Sequence, residues 1–209
     1  MFLTFEGVDF SGKTTQARLL VDRLSRERTL CFLREPGGTQ ISERIRDILL
    51  DRKHLELTDE AELLLFSASR AQLVTQVIRP ALQRGEWVIC DRYYDSTTAY
   101  QGGGRRLNIH AIRTINAFAT GNLVPDLTLF LDIPVDEIER RKQAAGKGFD
   151  RMESSGREFF ERVRAGYCAL CADEPDRVLR IDGMRPVETI HNEILDIVAR
   201  KTGIHQQSR

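Results

Sequence analysis

Residues 7–14 read Gly-Val-Asp-Phe-Ser-Gly-Lys-Thr, which is G-x-x-x-x-G-K-[ST], set directly behind the apolar run 2–6 (FLTFE). No other feature limits so sharply what this chain can fold into. The glycines let the backbone wrap until its N–H groups converge on phosphate oxygens. Lys13 brings a point charge to the β- and γ-phosphates, and the Thr14 hydroxyl suits a magnesium ion. The helix expected from Lys13 onward aims its positive end at the same anion. An apolar strand before the motif and an amphipathic stretch after it mark a phosphate-binding loop; without them the motif is a glycine turn with an exposed lysine. Gly7, Val8, Asp9, Phe10, Ser11, Gly12, Lys13, Thr14 and Thr15 are the candidate ATP site.

The remaining apolar runs indicate the fold. Residues 29–33, 87–90, 127–132 and 178–181 join 2–6 as five expected strands. Helical spacing covers 13–28, 40–51, 58–83, 109–119, a stretch opened by Pro134, one through Tyr167, and 186–201. Continuous apolar strands separated by helices predict a three-layer α/β fold, a five-stranded parallel sheet flanked by helices, in one domain over 1–209. Pro80 is expected to distort the long third helix. Gly102, Gly103 and Gly104 read as a flexible break, 143–153 as a mobile surface segment, and 205–209 as a frayed tail.

In open sheets of this kind ligands gather at the carboxyl ends of the strands, and here those ends carry Gly7, Glu35, Asp91 and Asp132. Asp91 can hold a magnesium ion or its water, and Arg92 beside it can neutralise phosphoryl charge. Considered alone, the two could equally be a surface ion pair.

Composition excludes other classes. Lys plus Arg and Asp plus Glu number 31 each, which gives no support to a nucleic-acid binder. The N-terminus lacks the basic and small-residue features of a signal peptide, and no run approaches the length of a membrane span. A cytoplasmic protein is expected. Cys31 and Cys90 lie in apolar runs, and Cys168 with Cys171 form a lone C-x-x-C with no second pair to complete a metal site.

Four stretches in order, EGVDFSGKTTQ (6–16), REPGGT (34–39), LLFSASRAQLV (64–74) and DRYYDSTTAYQGGGR (91–105), resemble thymidylate kinase. The resemblance implies transfer of the γ-phosphoryl of ATP to dTMP, giving dTDP and ADP, with Mg²⁺ as cofactor and a homodimer as the assembly. Phe66 and Arg70 stand four apart on one helix face. By resemblance Phe66 stacks the thymine base and Arg70 hydrogen-bonds it. Arg70 lies in an apolar helix, so a ligand or a carboxylate such as Glu62 must satisfy it. Tyr100, Gln101 and Thr97 would line the sugar and base pocket, and Asp9 would accept the 3′-OH. Arg34, Arg46 and Arg92 are candidates for the acceptor phosphate, with Glu35 and Pro36 beside them. Phe10 and Ser11 leave the loop without an internal cation, which indicates the family branch that supplies one from a lid. Arg151, then Lys147, then Arg141 are the candidates for it, within a stretch poorer in arginine than usual for that branch. Lys13, Asp91, Arg92, Arg151 and Lys147 thus form the catalytic set, and Thr14 and Asp91 the metal pair.

Overall fold

In the computed structural model, which describes residues 1–146, 150–152 and 154–203 (Ala145 by its backbone alone), the five apolar runs make one sheet. Strands β1 (Phe2–Glu6), β2 (Leu30–Arg34), β3 (Trp87–Asp91), β4 (Leu127–Asp132) and β5 (Val178–Asp182) lie in the order β2-β3-β1-β4-β5, every pairing parallel. Nine helices are described: α1 (Lys13–Leu24), α2 (Gln40–Leu50), α3 (Asp59–Leu73), α4 (Arg79–Gln83), α5 (Tyr94–Thr97), α6 (Ile109–Thr120), α7 (Val135–Ala145), α8 (Arg157–Asp173) and α9 (Val187–Thr202).

Both faces of the sheet are covered, and for that reason β1 and β4 are buried along their whole length. Leu3, Phe5, Ile89 and Leu129 face α1 and α9, meeting Ala17, Leu20, Ile190 and Ile194. On the other side Phe2, Val88 and Cys90 pack with Leu73 and Ile78, while Phe130 and Val178 pack with Val163 and Tyr167. The expected three-layer architecture is therefore observed. The β3-to-β1 and β1-to-β4 order brings the carboxyl ends of β1 and β3 side by side, Phe5 opposite Asp91, which sets the phosphate loop against Arg92.

Helix α1 stops at Leu24, short of the expected residue 28, because Ser25-Arg26-Glu27-Arg28 offers no apolar side chain to continue the buried stripe. The long third helix is distorted where Pro80 requires it. α3 passes through a π-helical turn, Val74–Ile78, into α4. Proline lacks an N–H and clashes with the carbonyl four residues back, and the wider turn accommodates both.

Residues 102–104 are no flexible break. α5 continues through a π-helical stretch, Thr98–Gly104, pressed against α8. A Cβ on Gly103 would stand 2.8 Å from the carbonyl oxygen of Arg162, and one on Gly104 would stand 2.5 Å from the Phe159 ring. From the opposite helix, a Cβ on Gly166 would come within 3.1 Å of the Ala99 Cα. These glycines permit two helical segments to approach closely, and packing outweighs the cost of glycine in a helix. Gly103→Ala is expected to lower stability by about 1–3 kcal/mol through overpacking. Gly156→Ala, where a Cβ meets nothing within 4 Å, is expected to cost less than about 1 kcal/mol. Urea titration of the two variants checks the contrast.

Candidate functional site

The phosphate loop is shaped by backbone conformations that side chains resist. Gly7 lies at φ 142° and Gly12 at φ 94°, and a Cβ on Gly7 would stand 2.6 Å from the Leu131 carbonyl oxygen. Gly12 is the N-cap of α1 and no side chain caps the helix, so its first-turn N–H groups await an outside acceptor. Val8 and Ser11 are buried, Asp9 and Phe10 half-buried, and Thr14 and Thr15 exposed where the helix starts. The Lys13 ammonium is buried, 3.4 Å from the Val8 carbonyl oxygen and 3.5 Å from Asp9 Oδ1. Burial, then Arg92, lowers its pKa, while Asp9 and Asp91 work the other way.

Asp91 ends β3 beside this loop. Its Oδ2 accepts a hydrogen bond from the Thr14 hydroxyl, and its Oδ1 is buried without a partner. An orphaned carboxylate oxygen is costly, and a divalent cation bridging Asp91, Thr14 and a phosphate would satisfy it. Among the described residues no group of three or more His, Cys, Asp or Glu could hold a metal unaided. One carboxylate and one hydroxyl are a donor set that fits an ion arriving with phosphates and keeping several waters.

Arg92 joins the loop to the rest of the site. Its backbone sits at φ 74°, a conformation a non-glycine residue adopts at a cost. Its guanidinium donates to the Gly7 carbonyl (2.9 Å), Asp9 Oδ1 (2.6 Å), the Tyr100 hydroxyl (3.2 Å) and the Ser96 hydroxyl (3.2 Å). Burial works to raise the Asp9 pKa, but Arg92 and Lys13 outweigh it and hold the carboxyl well below its usual range. Beneath them, fully buried Glu6 accepts from the Tyr93 N–H (2.7 Å), the Ser96 hydroxyl (2.5 Å) and the Tyr167 hydroxyl (2.8 Å). Burial and the neighbouring Asp95 push Glu6 up to about 7, against Arg92, Ser96 and Tyr167.

Next to the loop opens a cleft of about 570 Å³, counting its solvent-open part, large enough for a small ligand. Asp9, Glu35, Pro36, Arg46, Phe66, Arg70, Arg92, Thr97, Tyr100 and Gln101 line it, together with Leu50, Ser96, Asp150 and Met152. Arg70 is almost fully buried. It pairs with Glu35 (2.7 Å) and donates to the Thr97 hydroxyl (2.9 Å) and the Tyr93 carbonyl (3.2 Å). The carboxylate that satisfies Arg70 is thus Glu35 from the end of β2, whereas Glu62 faces Gln101, Arg105 and Arg151. Glu35 Oε1 has no partner, and burial pushes this carboxyl up to about 7 despite Arg70. The Arg46 guanidinium donates to the Pro36 carbonyl at 3.0 Å.

Of the acceptor-side residues expected from sequence, Arg34 alone does not line the cleft. Its guanidinium is engaged by Glu43 (3.1 Å) and the Pro36 carbonyl (2.8 Å). Arg151 forms an ion pair with Glu62 and donates to the Leu49 carbonyl, on the acceptor side of the site. Arg141 is the candidate that touches the phosphate loop, donating to the Phe10 carbonyl at 3.0 Å. Lys147 lies outside the described residues, as do parts of the expected lid. Sequence reasoning missed Ser96 and Tyr167. Ser96 stands in a polar run that reads as a turn, and Tyr167 shares an apolar helical stripe with Phe160 and Val163 that reads as core.

Comparison with known proteins gives a consistent set of matches. A family model described as thymidylate kinase matches residues 5–194. The thymidylate kinase of Kosmotoga olearia is 48% identical over 196 residues, covering 93% of this chain and 93% of that protein. That of Chlorobium luteolum is 48% identical over 200 residues, covering 91% and 93%. Among solved structures, a crystal structure of thymidylate kinase from Ehrlichia chaffeensis aligns with a TM-score of 0.78 at 34% identity, over 95% of this chain and 97% of that one.

The Glu6 network predicts a pH dependence. Folding raises Glu6 from the ordinary carboxylate value of 4.5 to about 7. Its stabilising contribution is therefore complete below the unfolded value and is lost as pH climbs through the folded one. The urea midpoint of the ligand-free protein should fall between about pH 5 and about pH 8, and Glu6→Gln should flatten that fall. Equal slopes in the two proteins would contradict the assignment.

Proposed function

The chain belongs to the thymidylate kinase family, and from that premise we propose how its residues divide the reaction. It is a kinase that moves the γ-phosphoryl of ATP to dTMP, giving dTDP and ADP in nucleotide biosynthesis. We assign ATP to the loop of residues 7–15 and dTMP to the cleft walled by Phe66, Arg70 and Tyr100. The observation that carries this assignment is that Asp9 of the loop also lines the cleft, where it pairs at 2.6 Å with Arg92, another cleft residue. Donor and acceptor phosphates would therefore meet over one shared ion pair.

Phosphoryl transfer asks mainly for alignment and for charges placed where negative charge develops. Backbone N–H groups of the loop and the uncapped start of α1 hold the triphosphate, with Lys13 against its β- and γ-oxygens. The acceptor phosphate has its second pKa near ~6, so at neutral pH it attacks largely as the dianion and needs no strong base. Arg92 and Arg46 grip that phosphate. Phe66 stacks the base, Arg70 and Thr97 meet its edge, and Tyr100 and Gln101 close on the sugar, whose 3′-OH donates to Asp9. A divalent metal, which we take to be Mg²⁺, would be held by Thr14 and Asp91 and would offset the negative charge of the transferring phosphates. Lid cations complete the set. Arg141 already reaches the loop, Lys147 and Arg151 stand in the same stretch of chain, and a lid at about 143–153 would exclude water from the transferring group.

We read 1–209 as a single domain acting as a homodimer in the cytoplasm, where its nucleotides are held. Support for the dimer comes from α2, α3 and α6, which pack side by side and leave Ile41, Ile48, Leu64 and Phe118 exposed, Phe118 by 89%. Among the described residues no helix is long and apolar enough to cross a membrane.

An ADP-release assay over a panel of nucleoside monophosphates tests the pocket: dTMP should turn over best, and equal rates across the panel would refute the cleft assignment. Lys13→Ala should lower kcat about a hundredfold or more, as loss of a transition-state donor does. Arg70→Ala should erode the preference for dTMP over dCMP. Phe118→Asp should shift the species measured by light scattering from dimer to monomer, and an unchanged mass would refute that interface.

A further inference from the structure

One fully buried carboxylate has no part in the division of labour just described. Glu62 stands in the first turn of α3, wholly inaccessible to solvent. Its Oε1 accepts from Gln101 Nε2 at 2.8 Å and from Arg105 Nε at 3.2 Å. Its Oε2 accepts from Arg105 at 3.0 Å and forms an ion pair with the Arg151 guanidinium at 2.6 Å. These donors come from the end of the π-helical stretch, from the turn after it, and from the segment near 150 that follows α7. Burial by itself would raise the Glu62 pKa, but Arg105, Gln101 and Arg151 together hold it below its usual value.

The partners are not equivalent. Arg105 has a second carboxylate, Asp59 at 3.1 Å, which is partly exposed. Arg151 is 8% exposed at its side chain, and among the described residues Glu62 is the carboxylate paired with it. Arg151 also donates to Met152 Sδ at 3.6 Å and to carbonyls at the end of α2: Leu49 accepts from its Nε at 2.9 Å, and Leu50 from its backbone N–H at 3.3 Å. A helix carboxyl end welcomes a cation there. It cannot replace a counter-charge for a guanidinium so far from water. Asp150 and Met152, on either side of Arg151, line the acceptor cleft, and so does Gln101. One carboxylate thus fixes a cleft wall built from two distant pieces of chain.

We propose that Glu62 is a positioning residue for the acceptor: by binding Gln101 and Arg151 at once, it seats the segment around residue 151 as a wall of the dTMP cleft. The proposal rests on assigning that cleft to dTMP. It gives Arg151 a role in acceptor binding through Glu62, separate from contact with the transferring phosphoryl group.

Glu62→Gln keeps the shape, removes the charge and leaves one accepting oxygen in place of two. The expected result is a KM for dTMP raised about ten- to a hundredfold, as loosened positioning produces, with KM for ATP unchanged and kcat within about threefold. Arg151→Gln, which leaves Glu62 paired to Arg105, should raise the KM for dTMP by a similar factor even if Glu62→Gln folds poorly. In that KM the double variant should be no worse than either single one. Limited trypsin treatment of the ligand-free proteins, scored for cleavage after Arg151, should be faster in Glu62→Gln than in wild type. This readout is independent of the acceptor's identity: a wild type indifferent to dTMP would defeat the cleft assignment while proteolysis still judges the latch. An unchanged KM for dTMP in both variants, a loss confined to kcat, or equal cleavage rates would overturn the proposal.

Discussion

The ion pair between Arg92 and Asp9 organises everything around it. Arg92 is held in a left-handed conformation directly after β3, and its guanidinium reaches the loop backbone at Gly7, the loop carboxylate at Asp9 and the cleft at Tyr100. Asp9 in turn draws Lys13 to within 3.5 Å. Two cations that would otherwise repel each other are thus fixed near one anion before any phosphate arrives. Little reorganisation remains when charge develops in the reaction, and fixed, desolvated charges act most strongly under that condition. The register of the sheet makes the pair possible, since β3 lies beside β1 and delivers Arg92 to the loop's carbonyl side.

The same economy appears on the acceptor side. Arg70, almost fully buried in the last turn of α3, would be expensive without a counter-charge, and Glu35 supplies one from the end of β2. With Thr97 and the Tyr93 carbonyl also engaged, the guanidinium is fixed in the plane from which it meets the cleft. Glu35 Oε1 is left without a partner at the same wall. Buried groups of this kind are tolerated where a ligand or ordered water completes them.

The sequence carried the phosphate loop, the five strands and most of the cleft, because each rests on a local pattern. G-x-x-x-x-G-K-[ST] is contiguous, and β1 and β4 are unbroken apolar runs. Phe66 and Arg70 are neighbours on one helix face, and the four family-like stretches drew Thr97 and Tyr100 into the same pocket. What stayed hidden depends on pairing across the fold. Nothing near Arg70 indicates that Glu35, 35 positions earlier, is its partner. Three glycines in a row read as a break, yet they let the Thr98–Gly104 stretch lie against α8. Tyr167 looks like one more apolar helix position until its hydroxyl is found on Glu6, 161 residues away. Arg34, by contrast, was legible as a charge but not as one already bound to Glu43.

The bare amino end of α1 has a consequence for the life of the molecule. A helix that lacks a side-chain cap at Gly12 is less secure at that end than its sequence could have made it. On the proposed assignment, the triphosphate would be, in structural terms, the missing cap. Any molecule that binds the native state alone adds to folding stability in proportion to the logarithm of its concentration. With that cap supplied from solution, nucleotide concentration would set part of the enzyme's resistance to unfolding as well as its rate.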